Sequence, residues 1–374
     1  MKIALAYDWL NQKNGGGEAT LFEIAKLYPT ADIYCLLYNK KKFSKYFPNR
    51  NITVSQLRFF PEFIKKRPNL LLPFVPSAVN HLDFTGYDLV ISVSSAWVKN
   101  ITVPHDTIHI SYCFSPARMI WDSWPGYLEY QKIGPFKLGA ISKFFITKRV
   151  SKIRLWDYYS SKNVSAFIAI SDYVAQRIQK FYGLSSTVVY PPVKLEKINI
   201  DYKEDYYLVL SVLSRYKNIE LVIRTFIKNH KKLIIAGDGP DRSRLEQLAK
   251  NNHNISFVGR VDETTKNRLL ARARAFIFAS KEDFGIAPVE AQNAGTPVIA
   301  LRGGGLNETI DENRTGVFFE QSSTEDLQDA IERFEKMKFN PKILQHAAVK
   351  FNAKQFDVNF VKAIADLTKE SSND

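Results

Sequence analysis

Cysteine is scarce in this sequence, with two residues in a chain of 374. Cys35 and Cys113 are far apart, and no cysteine stands near a histidine at a spacing that binds a metal ion. This pattern argues against a structural zinc site and fits a reducing compartment. The chain also has no Asp-x-Asp motif to hold a metal ion. We therefore predict that the protein uses neither a metal ion nor another cofactor.

Long apolar runs are also missing. No stretch reaches the roughly 18 apolar residues that a membrane-spanning helix needs. The first ten residues, MKIALAYDWL, contain too short an apolar run for a signal peptide and lead into a glycine-rich segment. We therefore expect a protein of the cytoplasm.

The length and the pattern of the chain predict two α/β domains. Short apolar runs alternate with helical stretches in both halves, which is typical of doubly wound, mostly parallel sheets. Pro191-Pro192 and the apolar-poor segment 194–205 mark a boundary. We assign residues 1–193 and 194–350 to two Rossmann-like domains. Residues 351–374 follow as a helix to about Thr368 and a tail that we expect to be disordered from Glu370.

The apolar runs predict eleven strands. One opens the chain, and the others are 31–37, 87–93, 108–112, 167–170, 188–190, 206–213, 232–236, 255–258, 275–279 and 298–301.

Basic residues outnumber acidic ones, and the formal net charge is +14. They cluster with aromatic residues in two stretches, Gln131–Trp156, which has no acid at all, and Arg58–Phe74. Such mixtures are typical of surfaces that dock on anionic lipid. Nucleic acid is the rival partner, but the chain has no nucleic-acid-binding motif, and we predict none is bound. A merely solvated basic face is the third interpretation.

The most informative segment is Ser280–Thr309. Glu282, Phe284 and Gly285 follow a predicted strand and precede a predicted helix that starts at Ile286. In an open α/β sheet, this turn lies at the ligand-binding end. The start of a helix offers unpaired N–H groups and about half a positive charge, which suits a diphosphate.

Glu290 lies one turn into that helix, and its carboxylate suits the two neighbouring hydroxyls of a ribose. Glu282, in the turn, is predicted to face the group beyond the diphosphate. Gly304 and Gly305 form a second glycine-rich turn after the strand that follows. The alternative is that both glutamates are solvated surface charges, because such a pair also arises by chance.

Residues 280–309 resemble the Glu-x7-Glu signature of the retaining glycosyltransferases of family four, which have the two-domain GT-B fold. The opening strand and Gly15-Gly16-Gly17-Glu18 resemble the amino-terminal strand and glycine-rich loop of that family. Three further runs are similar to the mannosyltransferases that extend bacterial O-antigen and exopolysaccharide units, namely 154–157, 167–171 and 189–193.

The resemblance implies an α/β GT-B fold in which two Rossmann-like, doubly wound domains face a cleft. The first domain would bind the acceptor and the second the nucleotide-sugar, with the last helix crossing back to the first domain. The implied reaction is a metal-independent, retaining transfer of a sugar to a lipid-linked saccharide, at the inner face of the plasma membrane. The subgroup favours GDP-mannose as donor.

The resemblance also assigns roles to residues. Lys217 matches the family lysine that pairs with the diphosphate, whereas Val212 stands where the family usually has an arginine, so Arg215 is predicted to substitute for it. Phe114 stands in place of a family histidine. The predicted catalytic residues are Glu282, Lys217 and Asp8. The predicted donor-binding residues are Gly16, Gly17, Arg215, Lys217, Phe284, Gly285, Ile286, Glu290, Gly304 and Gly305.

Arg118 is predicted to contact the acceptor, because a guanidinium binds phosphate in a bidentate manner. Asp157 is the second residue predicted to contact the acceptor. His109 is interpreted as a core residue. Three alternative functions stay open: a family-four enzyme with a UDP-sugar donor, a GT-B nucleotide-sugar epimerase or hydrolase, and a non-catalytic nucleic-acid-binding protein.

Overall fold

A computed structural model describes residues 1–11, 15–65, 68–122, 140–198 and 202–371 of the chain. Two compact units are present. The first contains Met1–Pro192 and Phe356–Asp374, and the second contains Val193–Gln355. The predicted boundaries at 193 and 351 therefore differ from the observed ones by a few residues.

The first unit is built on a parallel sheet that has seven strands in the described part of the chain. The strands are β1 (Ile3–Leu10), β2 (Asp32–Tyr38), β3 (Ile52–Val54), β4 (Leu89–Ser94), β5 (Ile108–Cys113), β6 (Ala166–Ala169) and β7 (Thr187–Val188). Their order is β3-β2-β1-β4-β5-β6-β7, so the winding reverses between β1 and β4. The described helices of this unit are Gly16–Leu27, Lys40–Phe43, Glu62–Lys65, Pro68–Leu71, Val75–Asn80, Arg118–Trp121, Ala140–Ser160 and Asp172–Tyr182, together with most of the last helix, Ala353–Ser371.

The second unit repeats this plan with a parallel sheet of six described strands. They are β8 (Tyr207–Leu210), β9 (Leu233–Ala236), β10 (Ile255–Gly259), β11 (Ala275–Phe278), β12 (Val298–Leu301) and β13 (Gly316–Phe319). Their order is β10-β9-β8-β11-β12-β13, with the reversal between β8 and β11. The described helices are Ile219–Asn229, Arg242–Leu248, Glu263–Arg272, Ile286–Asn293, Leu306–Thr309, Thr324–Glu335 and Pro341–Val349.

Side chains from both faces of the second sheet are buried. Successive residues of a strand point to opposite faces, and Phe276 and Ile277 of β11 accordingly lie in two separate apolar clusters. Helices cover both faces, which explains why the strands of this sheet are apolar runs without polar alternation. The prediction of two Rossmann-like α/β domains is confirmed.

Two of the described strands, β3 and β13, were not predicted from the sequence. β3 has only three residues, and none of them is fully buried, so it carries no apolar run. β13 is fully buried but short, and it begins with a glycine after a polar turn. β8 ends at Leu210, three residues earlier than predicted.

The last helix, Ala353–Ser371, is longer than predicted. The expectation of a disordered tail was wrong for Glu370 and Ser371, which are helical, while 372–374 lie outside the described residues. Within the first unit, the rings of Phe356 and Phe360 pack edge-on against Tyr112 of β5.

Candidate active site

A lysine–glutamate pair lies where the winding of the second sheet reverses. Lys217 ends a 3₁₀ helix, Arg215–Lys217, that follows β8, and Glu282 lies in the turn after β11. The Lys217 Nζ is 2.6 Å from Glu282 Oε1, and the two side chains are 14% and 20% exposed. The Ser280 hydroxyl donates to the same carboxylate oxygen at 3.3 Å. The structure thus brings together two of the three predicted catalytic residues.

The surroundings of Lys217 hold its ammonium group in place. Nζ lies 5.4 Å from the centre of the Phe278 ring and 4.9 Å from that of Tyr216, which are distances at which a cation is attracted to an aromatic face. A lysine fixed in this way at the end of a parallel sheet is suited to stabilise negative charge on a phosphate group.

The two glycine-rich turns pack backbone against backbone. Glu282 and Gly304 form a β-bridge, and the Gly305 N–H donates to the Glu282 carbonyl at 2.9 Å. A Cβ atom on Gly304 would lie 2.2 Å from the Glu282 carbonyl oxygen, and one on Gly305 would lie 2.4 Å from that of Asp283. These glycines are required for close approach of the turn that carries Glu282.

This packing corrects part of the predicted donor site. The N–H groups of Gly303 and Gly305 already donate to Asn307 Oδ1 and to the Glu282 carbonyl, so the prediction that Gly305 binds the diphosphate is not supported. Phe284 is also a structural residue, because its side chain is buried with the ring 5.2 Å from that of Phe351. Gly304 stays a prediction.

The start of the Ile286–Asn293 helix has no side-chain cap. Gly285 precedes the helix with a φ of 96°, and no side chain caps the helix through a hydrogen bond. Pro288 in the first turn has no N–H, so the backbone groups of the residues around Ile286 are the donors that this turn offers. Backbone N–H groups at a helix start bind phosphate oxygens. The predictions for Gly285 and Ile286 are compatible with this geometry.

Glu290 is paired with a lysine that the sequence analysis missed. Lys266, on the Glu263–Arg272 helix, places its Nζ 2.8 Å from Glu290 Oε1 and 2.9 Å from Glu263 Oε2. Burial raises the pKa of the Glu290 carboxyl, and Lys266 offsets part of this effect. The spacing of Glu263 and Lys266 on one helix is visible in the sequence. The contact with Glu290 depends on packing between two helices and has no sequence signal.

Arg215 lies at the surface, 56% exposed, with Nε 3.8 Å from Asp241 Oδ1. Val212 is 57% exposed. The role of Arg215 as a substitute for the family arginine stays a prediction.

The glycine-rich segment of the first unit follows β1. Gly15 has a φ of 116° and precedes the Gly16–Leu27 helix without a side-chain cap. A Cβ on Gly17 would lie 2.7 Å from the Tyr7 hydroxyl oxygen, so this residue has a packing reason to be glycine. The binding roles of Gly16 and Gly17 stay predictions.

Asp8 at the end of β1 has a structural role. Its carboxylate accepts hydrogen bonds from the backbone N–H groups of residues 95–98 and from the Ser95 hydroxyl, at 2.6–2.9 Å. The side chain is buried and ties the segment after β4 to β1. The structure therefore does not support the predicted contact of Asp8 with an acceptor hydroxyl.

Asp157 is likewise buried, in a network of four donors. It accepts from Lys99, Asn100, Trp121 and Tyr182 at 2.6–2.7 Å. Asp157 and Lys99 are both fully inaccessible to solvent. This burial contradicts the predicted role of Asp157 in acceptor binding and gives it a structural one.

Arg118 and His109 lie in different surroundings within the first unit. Arg118 begins the short Arg118–Trp121 helix and is partly buried, and its acceptor role stays a prediction. His109 is confirmed as a core residue, because it is inaccessible, its Nε2 is 2.8 Å from the Ser92 hydroxyl, and burial lowers its pKa to about 3.

Of the two basic stretches, Arg58–Phe74 lies mostly within the described part of the chain and Gln131–Trp156 lies only partly within it. Residues 131–139 and the side chains of residues 140–149 lie outside the described part of the chain. In the Arg58–Phe74 stretch, Phe59, Phe63 and Phe74 are 75%, 67% and 47% exposed.

The described residues include neither a cluster of metal-binding side chains nor a helix suited to span a membrane. No group of three or more His, Cys, Asp or Glu side chains is placed to hold a metal ion among them. Nor does any helix in the described ranges combine the length and apolar character needed to cross a membrane.

The Gly304→Ala substitution should destabilise the second unit by about 2 kcal/mol or more, because alanine is strained at a φ of +67° and its Cβ meets the Glu282 carbonyl. Gly259→Ala is the matched control, since Gly259 has a φ of +69° but faces the tip of the Arg242 side chain at 3.3 Å. Urea denaturation measures both. Equal losses for the two variants would show that the contact between the turns adds nothing.

Comparison with known proteins shows what the second unit is similar to. Residues 192–355 match the family of glycosyl transferases group 1. Over 164 residues, 41% of the chain, the sequence is 30% identical to the N-acetyl-alpha-D-glucosaminyl L-malate synthase of Bacillus anthracis. It is 27% identical to the alpha-1,3/1,6-mannosyltransferase ALG2 of Saccharomyces cerevisiae, over 46% of the chain. The matches span 42% and 45% of these relatives' own lengths.

Solved structures resemble the whole chain. The lipopolysaccharide outer core galactosyltransferase WaaB aligns over 98% of this chain and 99% of its own, with a TM-score of 0.66 and 15% identity. HepE of Anabaena, solved in complex with UDP and glucose, aligns over 98% of this chain and 100% of its own, with a TM-score of 0.63 and 15% identity. At such identity the likeness shows the fold alone. Residues 192–355 are therefore similar to the glycosyl transferases group 1 family, and the two Rossmann-like domains of the chain match GT-B glycosyltransferases in fold.

Proposed function

We propose that this protein is a retaining, metal-independent glycosyltransferase that moves a sugar from a nucleoside diphosphate to a lipid-linked saccharide. One observation carries the proposal. The Lys217–Glu282 pair lies where the strand order of the second sheet reverses. Residues 192–355, which contain this sheet, match the glycosyl transferases group 1 family. Ligands of open α/β sheets bind at such reversal points, beyond the carboxyl ends of the strands.

The roles of the residues follow from their chemistry. N–H groups around Gly285 and Ile286 bind the diphosphate at the helix start. Lys217 stabilises the charge that develops on the leaving phosphate. Glu282 orients Lys217 through their 2.6 Å contact and faces the donor sugar. The departing phosphate takes the proton of the acceptor hydroxyl, so the reaction needs no covalent nucleophile. Arg215, Gly16 and Gly17 are proposed to add further donor contacts, and Arg118 an acceptor contact.

For the donor we propose GDP-mannose. The runs at 154–157, 167–171 and 189–193 support this choice through their similarity to bacterial mannosyltransferases, and one relative is named as a mannosyltransferase. A UDP-sugar is the second candidate, favoured by the UDP found in HepE.

The acceptor is proposed to be lipid-linked, at the inner face of the plasma membrane. The net charge of +14 and the exposed phenylalanines of the Arg58–Phe74 stretch support a protein that docks on anionic lipid.

Glu290 is proposed to bind the ribose of the donor, and the Glu290→Gln variant tests this assignment. The substitution should weaken binding of the matching nucleoside diphosphate by about 1–3 kcal/mol, the cost of a lost charge-assisted hydrogen bond. Titration calorimetry with GDP, UDP and ADP measures the loss and identifies the base. Because ionised Glu290 is the acceptor, affinity should fall as the pH drops through its raised pKa.

Glu263→Gln is the matched control for this experiment. Glu263 contacts the same Lys266 at 2.9 Å but is 68% exposed, so its loss removes an equal charge without touching the ribose site. Equal losses for the two variants would refute the role of Glu290, and binding of none of the three nucleotides by the wild-type protein would refute the proposed function.

A further inference from the structure

A cavity of about 670 Å³ lies at the carboxyl ends of β1 and β2 in the first unit. It is lined by Asn11, Leu37, Tyr38, Asn39, Lys40, Lys41, Lys42, Arg58, Glu62 and Lys65. Five of these side chains are cationic and one is acidic. The proposed donor chemistry uses none of them.

Most of this positive charge is not neutralised. Lys65 pairs with Glu62 at 2.6 Å. Lys40, Lys41 and Lys42 are exposed, and none of them forms an ion pair within the described part of the chain. A concave wall with this excess of ammonium and guanidinium groups attracts an anion with several oxygens.

The wall of the cavity continues into exposed aromatic side chains. The Arg58 guanidinium lies 4.8 Å from the centre of the Phe59 ring, and Phe63 follows Glu62 of the lining. Phe59 and Phe63 are 75% and 67% exposed. The cations suit an anionic group, and the exposed aromatic rings beside them suit an apolar one. Together they match an amphiphile with a charged head and an apolar body.

We propose that this cavity binds the phosphate of a lipid headgroup that presents a phosphomonoester or a diphosphate, while Phe59 and Phe63 contact the apolar part of the lipid layer. The inference rests on the lipid-linked acceptor of the proposed function and names the group by which the protein holds it. The cavity is then a second phosphate site, built from residues that the proposed donor site does not use.

The test compares vesicles of phosphatidic acid, which exposes a phosphomonoester, with vesicles of phosphatidylglycerol, which does not, adjusted to equal surface potential. The full-length protein should cosediment with the first at least about tenfold more tightly. The triple variant Lys40→Gln, Lys41→Gln, Lys42→Gln should lose this preference, and inorganic diphosphate should compete with the vesicles for the wild-type protein.

A matched triple variant controls for net charge. Lys336→Gln, Lys338→Gln, Lys342→Gln removes the same charge from exposed positions of the second unit and should keep the preference. The Phe59→Ser, Phe63→Ser variant separates a lipid from a free phosphate, because it should weaken vesicle binding and leave the affinity for inorganic diphosphate unchanged.

Three results would overturn the inference: equal binding to both vesicle types, equal losses in the two triple variants, or vesicle binding that the phenylalanine variant does not change. Nucleotide binding, measured on the same proteins, separates this inference from the proposed function. The cavity variant should bind nucleoside diphosphates like the wild type. A wild-type protein that binds phosphatidic acid vesicles but no nucleotide would refute the proposed function and leave the cavity as a lipid site.

Discussion

Replacing Lys217 by methionine should lower the turnover of the donor about a hundredfold to a thousandfold, the usual effect of removing one group that stabilises transition-state charge. Lys217 contacts Glu282 at 2.6 Å, at the reversal point of the second sheet. Methionine keeps the length of the side chain and removes the charge. The loss should therefore fall mainly on kcat, measured as release of nucleoside diphosphate at saturating donor.

The control variant is Lys338→Met, which removes an exposed lysine from the same unit and should leave turnover unchanged. Glu282→Gln completes a double-mutant cycle with Lys217→Met. If Glu282 acts by orienting Lys217, the double variant should be no slower than Lys217→Met alone. A Lys217→Met enzyme that retains nearly full kcat would contradict the proposed chemistry.

Replacing Lys99 by methionine should destabilise the first unit by about 3 kcal/mol or more. Lys99 and Asp157 are fully buried and 2.6 Å apart, and the substitution leaves a carboxylate in the interior without its counter-ion. Asn100, Trp121 and Tyr182 still donate to Asp157, which limits the loss. Urea denaturation followed by tryptophan fluorescence measures the effect.

Lys26→Met is the matched control, because Lys26 and Glu23 are also 2.6 Å apart in the same unit but Lys26 is 70% exposed. A surface ion pair contributes at most about 1 kcal/mol, so this variant should remain close to the wild type. If both variants lose equally little stability, the buried pair does not stabilise the unit, and the structural role assigned to Asp157 would be wrong.

The architecture and both residues of the Lys217–Glu282 pair were predicted from the sequence, Lys217 through the family resemblance. Strands buried on both faces carry continuous apolar runs, which is why most strands were predicted within a few residues while the short, poorly buried β3 was missed. Gly285 and Glu282 are recognisable because a turn between strand and helix is a local feature. Its position at the ligand end of the sheet follows from general rules for α/β folds.

Only the tertiary structure decided which polar side chains are available to a ligand. From the sequence, Asp8 and Asp157 could have been ligand-binding carboxylates. In the structure, the carboxylate of Asp8 accepts hydrogen bonds from residues 95–98, and that of Asp157 accepts one from Lys99. Lys266 and Glu290 form an ion pair between two different helices. Hydrogen bonds and ion pairs form between residues that are distant along the chain, and a buried polar group takes whichever partner the packing supplies. The sequence alone therefore determined the fold, because its apolar runs are local features, and only the packing determined which carboxylates are already occupied by donors of the protein itself.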